Sequence, residues 1–389
     1  MKIIHIADVH FRGLTRHDEY RRAFQDFFDQ ARKIKPDAIF VGGDIVHSKT
    51  QGISPELIDI LTWWFTELAD IAPTHIILGN HDGLILNKDR QDAISPILSA
   101  INNENLFLYK KSGVYSFAPG FNWCVFSCFD EEGWALVKPE PGSINIATFH
   151  GSVHGSQTDI NWDLDGEIDI SFFVGYDFAL LGDIHRHQYL DDDKKIAFCG
   201  SSIQQNYGES QGKGFMLWDI ESPDVYTSTF HEIYHDQPFI TVDWCGNTED
   251  TMNSISSLKK GARYRVRSDT QINQAEIKLI HSELRNKMKA TEVVFKHDAD
   301  IGSSVIKAGS DIFEKDDLQL PATHKKLVRE YLKNTEISQS ESDEIDNIID
   351  SCISEIVHKP DPFKRHSWNI KSILFDNTFS YGKNNKIDF

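Results

Sequence analysis

The sequence predicts an α/β (α+β) chain in which one sheet carries packed helices and a second sheet lies on the first. Three features lead there. Strand-like apolar runs alternate with amphipathic helical stretches over the first hundred residues. After residue 105 the pattern turns to short strands broken by Gly, Pro and Asn. No stretch is long and apolar enough to span a membrane.

Taken in order, residues 2–6 are apolar and β-branched, as in a buried strand. From 17 to 33, Tyr20, Phe24, Phe27, Phe28 and Ala31 share one helical stripe. Residues 37–41 form the next strand. Ser54, Pro55 and Glu56 read as a helix start: a cap, a proline at the first position and an acid in the first turn. Leu57, Ile58, Leu61, Trp64, Phe65 and Leu68 supply its buried face. Residues 74–78 are the third strand. Short strands at 106–109, 114–117, 123–129, 144–149, 178–181, 196–199 and 215–220 are assigned to the second sheet.

A boundary is expected at 235–238. Beyond it, strands at 239–244, 262–267 and 291–295 alternate with helices at 248–258 and 272–288. The expected organisation is a core at 1–235, a small α+β domain at 236–298 and a polar linker at 299–322. A helical arm at 323–359 holds helices at 324–332 and 342–357. A strand segment closes the chain at 366–389.

Composition narrows the function. The chain has 389 residues and a net charge of −19. That balance argues against coating nucleic acid by bulk attraction, which needs clustered Lys and Arg. Bound cations could still supply positive charge locally, and Arg263, Arg265 and Arg267 alternate on one strand face. The five cysteines, Cys124, Cys128, Cys199, Cys245 and Cys352, form no CxxC pair. They read as reduced thiols of a cytoplasmic protein. Residues 1–10 lack the apolar core of a signal peptide.

Five clusters of possible ligands each follow a predicted strand, where ligands collect in open α/β sheets. They are Asp8-Val9-His10, Gly42-Gly43-Asp44, Gly79-Asn80-His81-Asp82, His150-Gly151 and Gly182-Asp183-Ile184-His185. Singly, most are ordinary turns. Together they offer nitrogen and carboxylate donors that suit manganese, zinc or iron better than calcium or magnesium. Two such ions would clamp an in-line phosphoryl displacement.

In this order, these clusters resemble the calcineurin-like metallophosphoesterase family. Residues 1–10, Gly200-Ser201-Ser202-Ile203-Gln204-Gln205, Tyr207-Gly208-Glu209 and Lys213-Gly214-Phe215 narrow the likeness to SbcD-type nucleases. The resemblance implies a two-sheet metallophosphoesterase sandwich flanked by helices, followed by a capping domain. It implies that Asp8, His10, Asp44 and His185 hold one divalent cation, and Asp44, Asn80, His150 and Asp183 the other. Manganese is expected, with magnesium as the alternative. His81 would meet the phosphate and help the leaving oxygen depart, with Asp82 orienting it. Asp183 departs from the family's usual histidine.

The resemblance further implies an exonuclease and endonuclease acting on DNA ends and hairpins in double-strand-break repair or recombination. It implies a homodimer, and an SbcC-type ATPase gripped by the helical arm. The segment 368–382 is similar to the opening strands of that ATPase, so the partner could be fused in cis, and the terminal strand is then expected to be an unpaired edge. Two other readings stand beside this one: a phosphodiesterase for small phosphate esters, and a DNA-end-binding scaffold without catalysis.

Overall fold

The computed structural model describes residues 1–47, 52–87 and 90–297, positions 345, 346 and 348, and two short strands near the C-terminus. Residues Met1–His297 form one compact unit and Asp298–Phe389 a second.

The first unit runs β1 (Lys2–Ile6), α1 (His17–Ile34), β2 (Ala38–Val41), α2 (Pro55–Ile71), β3 (Thr74–Ile77), α3 (Ser95–Ile101), β4 (Leu106–Tyr109), β5 (Gly113–Ala118) and β6 (Phe121–Phe126). It continues with β7 (Ile144–His150), β8 (Phe178–Gly182), β9 (Gln188–Tyr189), β10 (Ile196–Phe198), β11 (Gly214–Ser222) and β12 (Val225–Glu232). It ends with β13 (Phe239–Asp243), α4 (Thr248–Ser254), β14 (Arg263–Ser268), α5 (Gln274–Lys287) and β15 (Glu292–His297).

Two six-stranded sheets make a sandwich, ordered β12-β11-β1-β2-β3-β4 and β5-β6-β7-β8-β10-β9. Side chains alternate across β1. Ile4 and Ile6 face α1 and α2, where Phe24 meets Trp64 at 5.6 Å between ring centres. Ile3 faces the second sheet, in a layer with Phe40, Trp123, Leu180 and Trp218. The outer face of the second sheet is covered by Trp134, Phe172 and Phe173 from two short 3₁₀ turns. α2 starts as its sequence demands: the Ser54 side chain accepts from Leu57 N–H, with Pro55 next. This is the two-sheet sandwich flanked by helices.

Two assignments are corrected. Residues 106–109 and 215–220 belong to the first sheet. β4 pairs parallel to β3, and β11 antiparallel to β1. Local pattern cannot reveal this, because a strand leaving one sheet and a strand entering the next look alike. β12 was not foreseen at all. Its exposure alternates along the strand, as at the edge of a half-solvated antiparallel pair.

β13, β14 and β15 form an all-parallel three-stranded sheet backed by α4 and α5. Arg263, Arg265 and Arg267 do not form a free basic patch. Arg263 grips Glu19 through two bonds, of 2.7 and 3.1 Å. Arg265 donates to the Tyr207 carbonyl, and Arg267 pairs with Asp243. Cys124, Cys128 and Cys199 are buried free thiols and Cys245 is exposed. No helix among the described residues could cross a membrane.

In the second unit, β16 (Ser372–Phe375) pairs antiparallel with β17 (Asn385–Asp388). The helical arm and linker lie outside the described residues, apart from helical positions at 345, 346 and 348.

Candidate metal centre

Every proposed ligand sits at or just beyond the C-terminal end of a parallel strand. Asp8 and His10 follow β1, Asp44 follows β2, Asn80 and His81 follow β3, His150 ends β7, and Asp183 and His185 follow β8. The chain reverses sharply at these points. Asp8, His10 and Asp44 have φ near +50°, and Asp183 has φ 101°. Non-glycine residues avoid that region, and clustered exceptions mark functional sites. The loops are also tied together: Asp8 N–H donates to the Gly43 carbonyl at 3.1 Å, and His10 N–H to that of Asp44 at 3.0 Å.

Two glycines let the loops approach. A side chain on Gly79 would place its Cβ 2.2 Å from Asp44 Oδ1. On Gly43, at φ +93°, it would stand 2.6 Å from the His150 ring.

Asp44 is central. Its Oδ1 accepts the His81 N–H at 2.8 Å and lies 3.3 Å from His150 Nε2. Its Oδ2 lies 3.7 Å from His10 Nε2 and 4.0 Å from His81 Nε2. The two oxygens thus face different histidines. Around them, three overlapping donor groups each fit within 4.8 Å: Asp8–His10–His185, His10–Asp44–His81 and Asp8–Asp44–His150. Asn80 joins by donating to Asp183 Oδ1 at 3.2 Å, and Asp183 Oδ1 stands 3.8 Å from His150 Nε2.

The histidines are aimed from behind. His150 Nδ1–H donates to the Gly42 carbonyl at 2.7 Å, which turns Nε2 inward as an acceptor. His185 Nδ1–H donates to Glu209 Oε1 at 2.9 Å, with the same effect. His185 Nε2 then faces His10 Nε2 at 2.9 Å.

These atoms fit divalent cations. His150 Nε2 is buried without a hydrogen-bond partner, a costly state for a polar atom that no ligand uses. Burial pushes the Asp8 carboxyl up to about 7, against the pull of His185 and His150. Burial also lowers His10 well below its usual range, keeping its ring neutral. Burial pushes Asp44 upward, but His150, His10 and His81 outweigh it and hold that carboxylate ionised. Burial lowers His150 and His185, but Asp44 beside the first and Glu209 beside the second outweigh it and raise both, so a cation binding there would displace protons. Imidazoles, carboxylates and an amide oxygen around one point are a transition-metal donor set.

His81 sits at the rim, its side chain 42% exposed, and its Nδ1–H donates to the His47 carbonyl. Asp82 does not orient it. Asp82 Oδ1 accepts from Ile45 and Val46 N–H, at 2.9 and 3.0 Å, and Oδ2 from Gly79 N–H at 2.9 Å. It is fully buried and ties the β2 loop to the β3 loop. A carboxylate next to a rim histidine in sequence points the opposite way once the turn closes. Sequence reasoning also missed His47 and Glu209 as supports. Glu209 lay inside a quoted motif, but nothing there told which histidine it would meet.

Comparison with known proteins agrees with this geometry. Residues 1–187 match the model of the calcineurin-like phosphoesterase family. The chain carries a calcineurin-like phosphoesterase domain. That domain belongs with hydrolases that open phosphoester bonds using metal ions. An uncharacterized protein of Acanthamoeba polyphaga mimivirus is 32% identical over the whole chain, which spans 29% of that longer protein. A putative phosphoesterase of Invertebrate iridescent virus 6 is 23% identical over 58% of this chain and 78% of its own. A dimetal phosphatase from Danio rerio, of known structure, overlaps 56% of this chain and 92% of its own, with 14% identity and a TM-score of 0.36. The phosphoesterase domain's matched residues contain every proposed ligand, whereas Glu209 lies beyond them.

Proposed function

We propose that this chain is a two-metal phosphodiesterase that cuts DNA, an SbcD-type nuclease. The observation that carries the reading is the convergence of Asp8, His10, Asp44, Asn80, His150, Asp183 and His185 on one centre, with Asp44 presenting an oxygen to each side. Divalent cations bound there, manganese first and magnesium second, would polarise the phosphate and lower the pKa of the attacking water. Asp8, His10, Asp44 and His185 would hold one ion, and Asp44, Asn80, His150 and Asp183 the other. His81, fixed through Nδ1–H, would give the Nε2 hydrogen of its doubly protonated ring to the departing oxygen.

What favours a nuclease over a phosphatase for small esters is the stretch from Gly200 to Lys213. It braces the site: Ser201 N–H and Lys213 Nζ both donate to the His185 carbonyl, at 3.1 and 2.7 Å. The stretch that carries the nuclease resemblance is thus part of the centre. On this reading the chain dimerises, processes DNA ends and hairpins during break repair or recombination, and works with an SbcC-type ATPase supplied in trans or in cis. The name of the iridescent virus relative, a putative phosphoesterase, fits either substrate class.

The test is manganese-dependent digestion of end-labelled linear duplex and hairpin DNA, beside bis-p-nitrophenyl phosphate, with the His81→Ala protein as control. Shortened DNA that needs both manganese and His81 is expected. Turnover of the small ester with DNA left intact would replace the nuclease by the small-ester phosphodiesterase. DNA binding without cleavage of either substrate would leave the scaffold.

A further inference from the structure

Beside the metal centre lies a cavity of about 400 Å³, lined in part by two of the proposed ligands. Its lining includes Asp183, His185 and Glu209 together with Ile160 and Trp162. Both apolar residues are open to solvent, Ile160 at 66% and Trp162 at 49%. A large apolar pair left exposed next to the candidate metal centre has no structural role in the core.

The loop that presents them is held rigidly. Thr158 N–H donates to the Trp162 carbonyl and Asn161 N–H to the Thr158 carbonyl, both at 3.0 Å, with Asn161 left-handed at φ 58°. Arg186 Nη1 donates to Gln157 Oε1, the Thr158 carbonyl and Asn161 Oδ1. The almost buried pair Lys213–Asp159, at 2.8 Å, anchors the middle of the loop, and Lys213 also donates to the His185 carbonyl. Lys213, which braces His185, therefore also anchors the loop that carries Trp162. Charge does not oppose an anion in this cavity as strongly as its acids suggest. Lys213 pairs with Asp159 at 2.8 Å and also lies 3.6 Å from Glu209.

We propose that Trp162, with Ile160, forms a stacking shelf for a nucleobase adjoining the scissile phosphate. The inference rests on the phosphodiesterase reading and names its substrate as a nucleic-acid strand. An occupant must present an anionic group to the centre and a flat apolar group to the shelf, which describes a nucleotide. Stacking on an indole face is tolerant of sequence, so the shelf contributes affinity and register rather than base choice.

The test uses manganese-loaded His81→Ala protein, in which the strand is retained, and measures oligothymidylate binding by anisotropy. Adding Trp162→Ala is expected to weaken binding roughly 5- to 100-fold, the effect of one aromatic–base stack. Trp162→Phe should restore most of it, and an abasic oligomer should bind the Trp162-containing protein as weakly as oligothymidylate binds the alanine variant. Equal binding with and without Trp162, or equal binding of abasic and intact strands, overturns the shelf. Failure here with manganese-dependent phosphodiester turnover intact removes only the shelf. Absence of that turnover in the wild-type chain removes the reading beneath it.

Discussion

His185 and Glu209 are joined by a 2.9 Å hydrogen bond from Nδ1 to Oε1, across 24 residues of sequence. Glu209 is itself held by Gln205 N–H and Asn206 Nδ2, both at 2.8 Å. The ring is thereby locked in the tautomer that points Nε2 at the centre, and its basicity rises. Groups that orient a metal-ligating histidine this way typically contribute 10- to 100-fold in metal affinity. Glu209→Gln should weaken manganese binding by about that factor in a calorimetric titration. Unchanged affinity would show that the ring holds its orientation unaided.

His81 and Asp82 are neighbours with opposite duties, so their variants should separate. His81→Ala should leave thermal stability and manganese content unchanged while abolishing phosphodiester turnover. Asp82→Ala strands three buried N–H groups, those of Ile45, Val46 and Gly79. Each buried unsatisfied group costs about 1–3 kcal/mol. A large drop in melting temperature is expected, with loss of metal as a consequence. A stable, metal-loaded Asp82→Ala protein lacking only activity would return Asp82 to the role of orienting His81.

That separation marks where the sequence stops being readable. The ligand residue types were legible because each follows a strand, and parallel strands end on one side. Their directions were not, because they depend on turns between distant segments. Gly42 and His150 meet across 108 residues, and Ile45 and Asp82 across 37. Sheet membership failed for the same reason at β4 and β11. Periodicity reports which face of a strand is buried, and it is silent on which strand lies alongside.

Glu19 predicts an acid-sensitive contact away from the metal. It lies between Arg16 and Arg263, at 2.8 and 2.7 Å, and so ties α1 to β14. Burial pushes its carboxyl upward, but the two guanidinium groups outweigh this and lower it to about 2 from 4.5. The folded value is depressed, so the contribution is complete above the unfolded pKa and is lost as pH falls from about 4.5 toward 2. The difference in melting temperature between wild type and Glu19→Gln should therefore be large at pH 6 and shrink steadily below pH 4.5. A difference independent of pH would mean that packing, not charge, is what the substitution removes.

Asp183 sets the last expectation, because its carboxylate stands where the resembled family places a histidine. Its backbone N–H donates to both Asp8 oxygens, at 3.2 and 3.1 Å, while Oδ1 turns toward Asn80 and His150. The side chain therefore faces the donors assigned to the second ion. A carboxylate there adds negative charge, which should hold a hard cation more firmly and make it a weaker Lewis acid. Asp183→Asn keeps a residue tolerant of positive φ and should lower affinity for that ion. Asp183→Ala should reduce the metal retained after dialysis from two manganese ions per chain to one, and turnover with it. Asp183→His should retain two ions and move preference toward zinc. Two ions and full turnover in Asp183→Ala would place the second ion on Asp44, Asn80 and His150 alone, with Asp183 holding only the backbone turn.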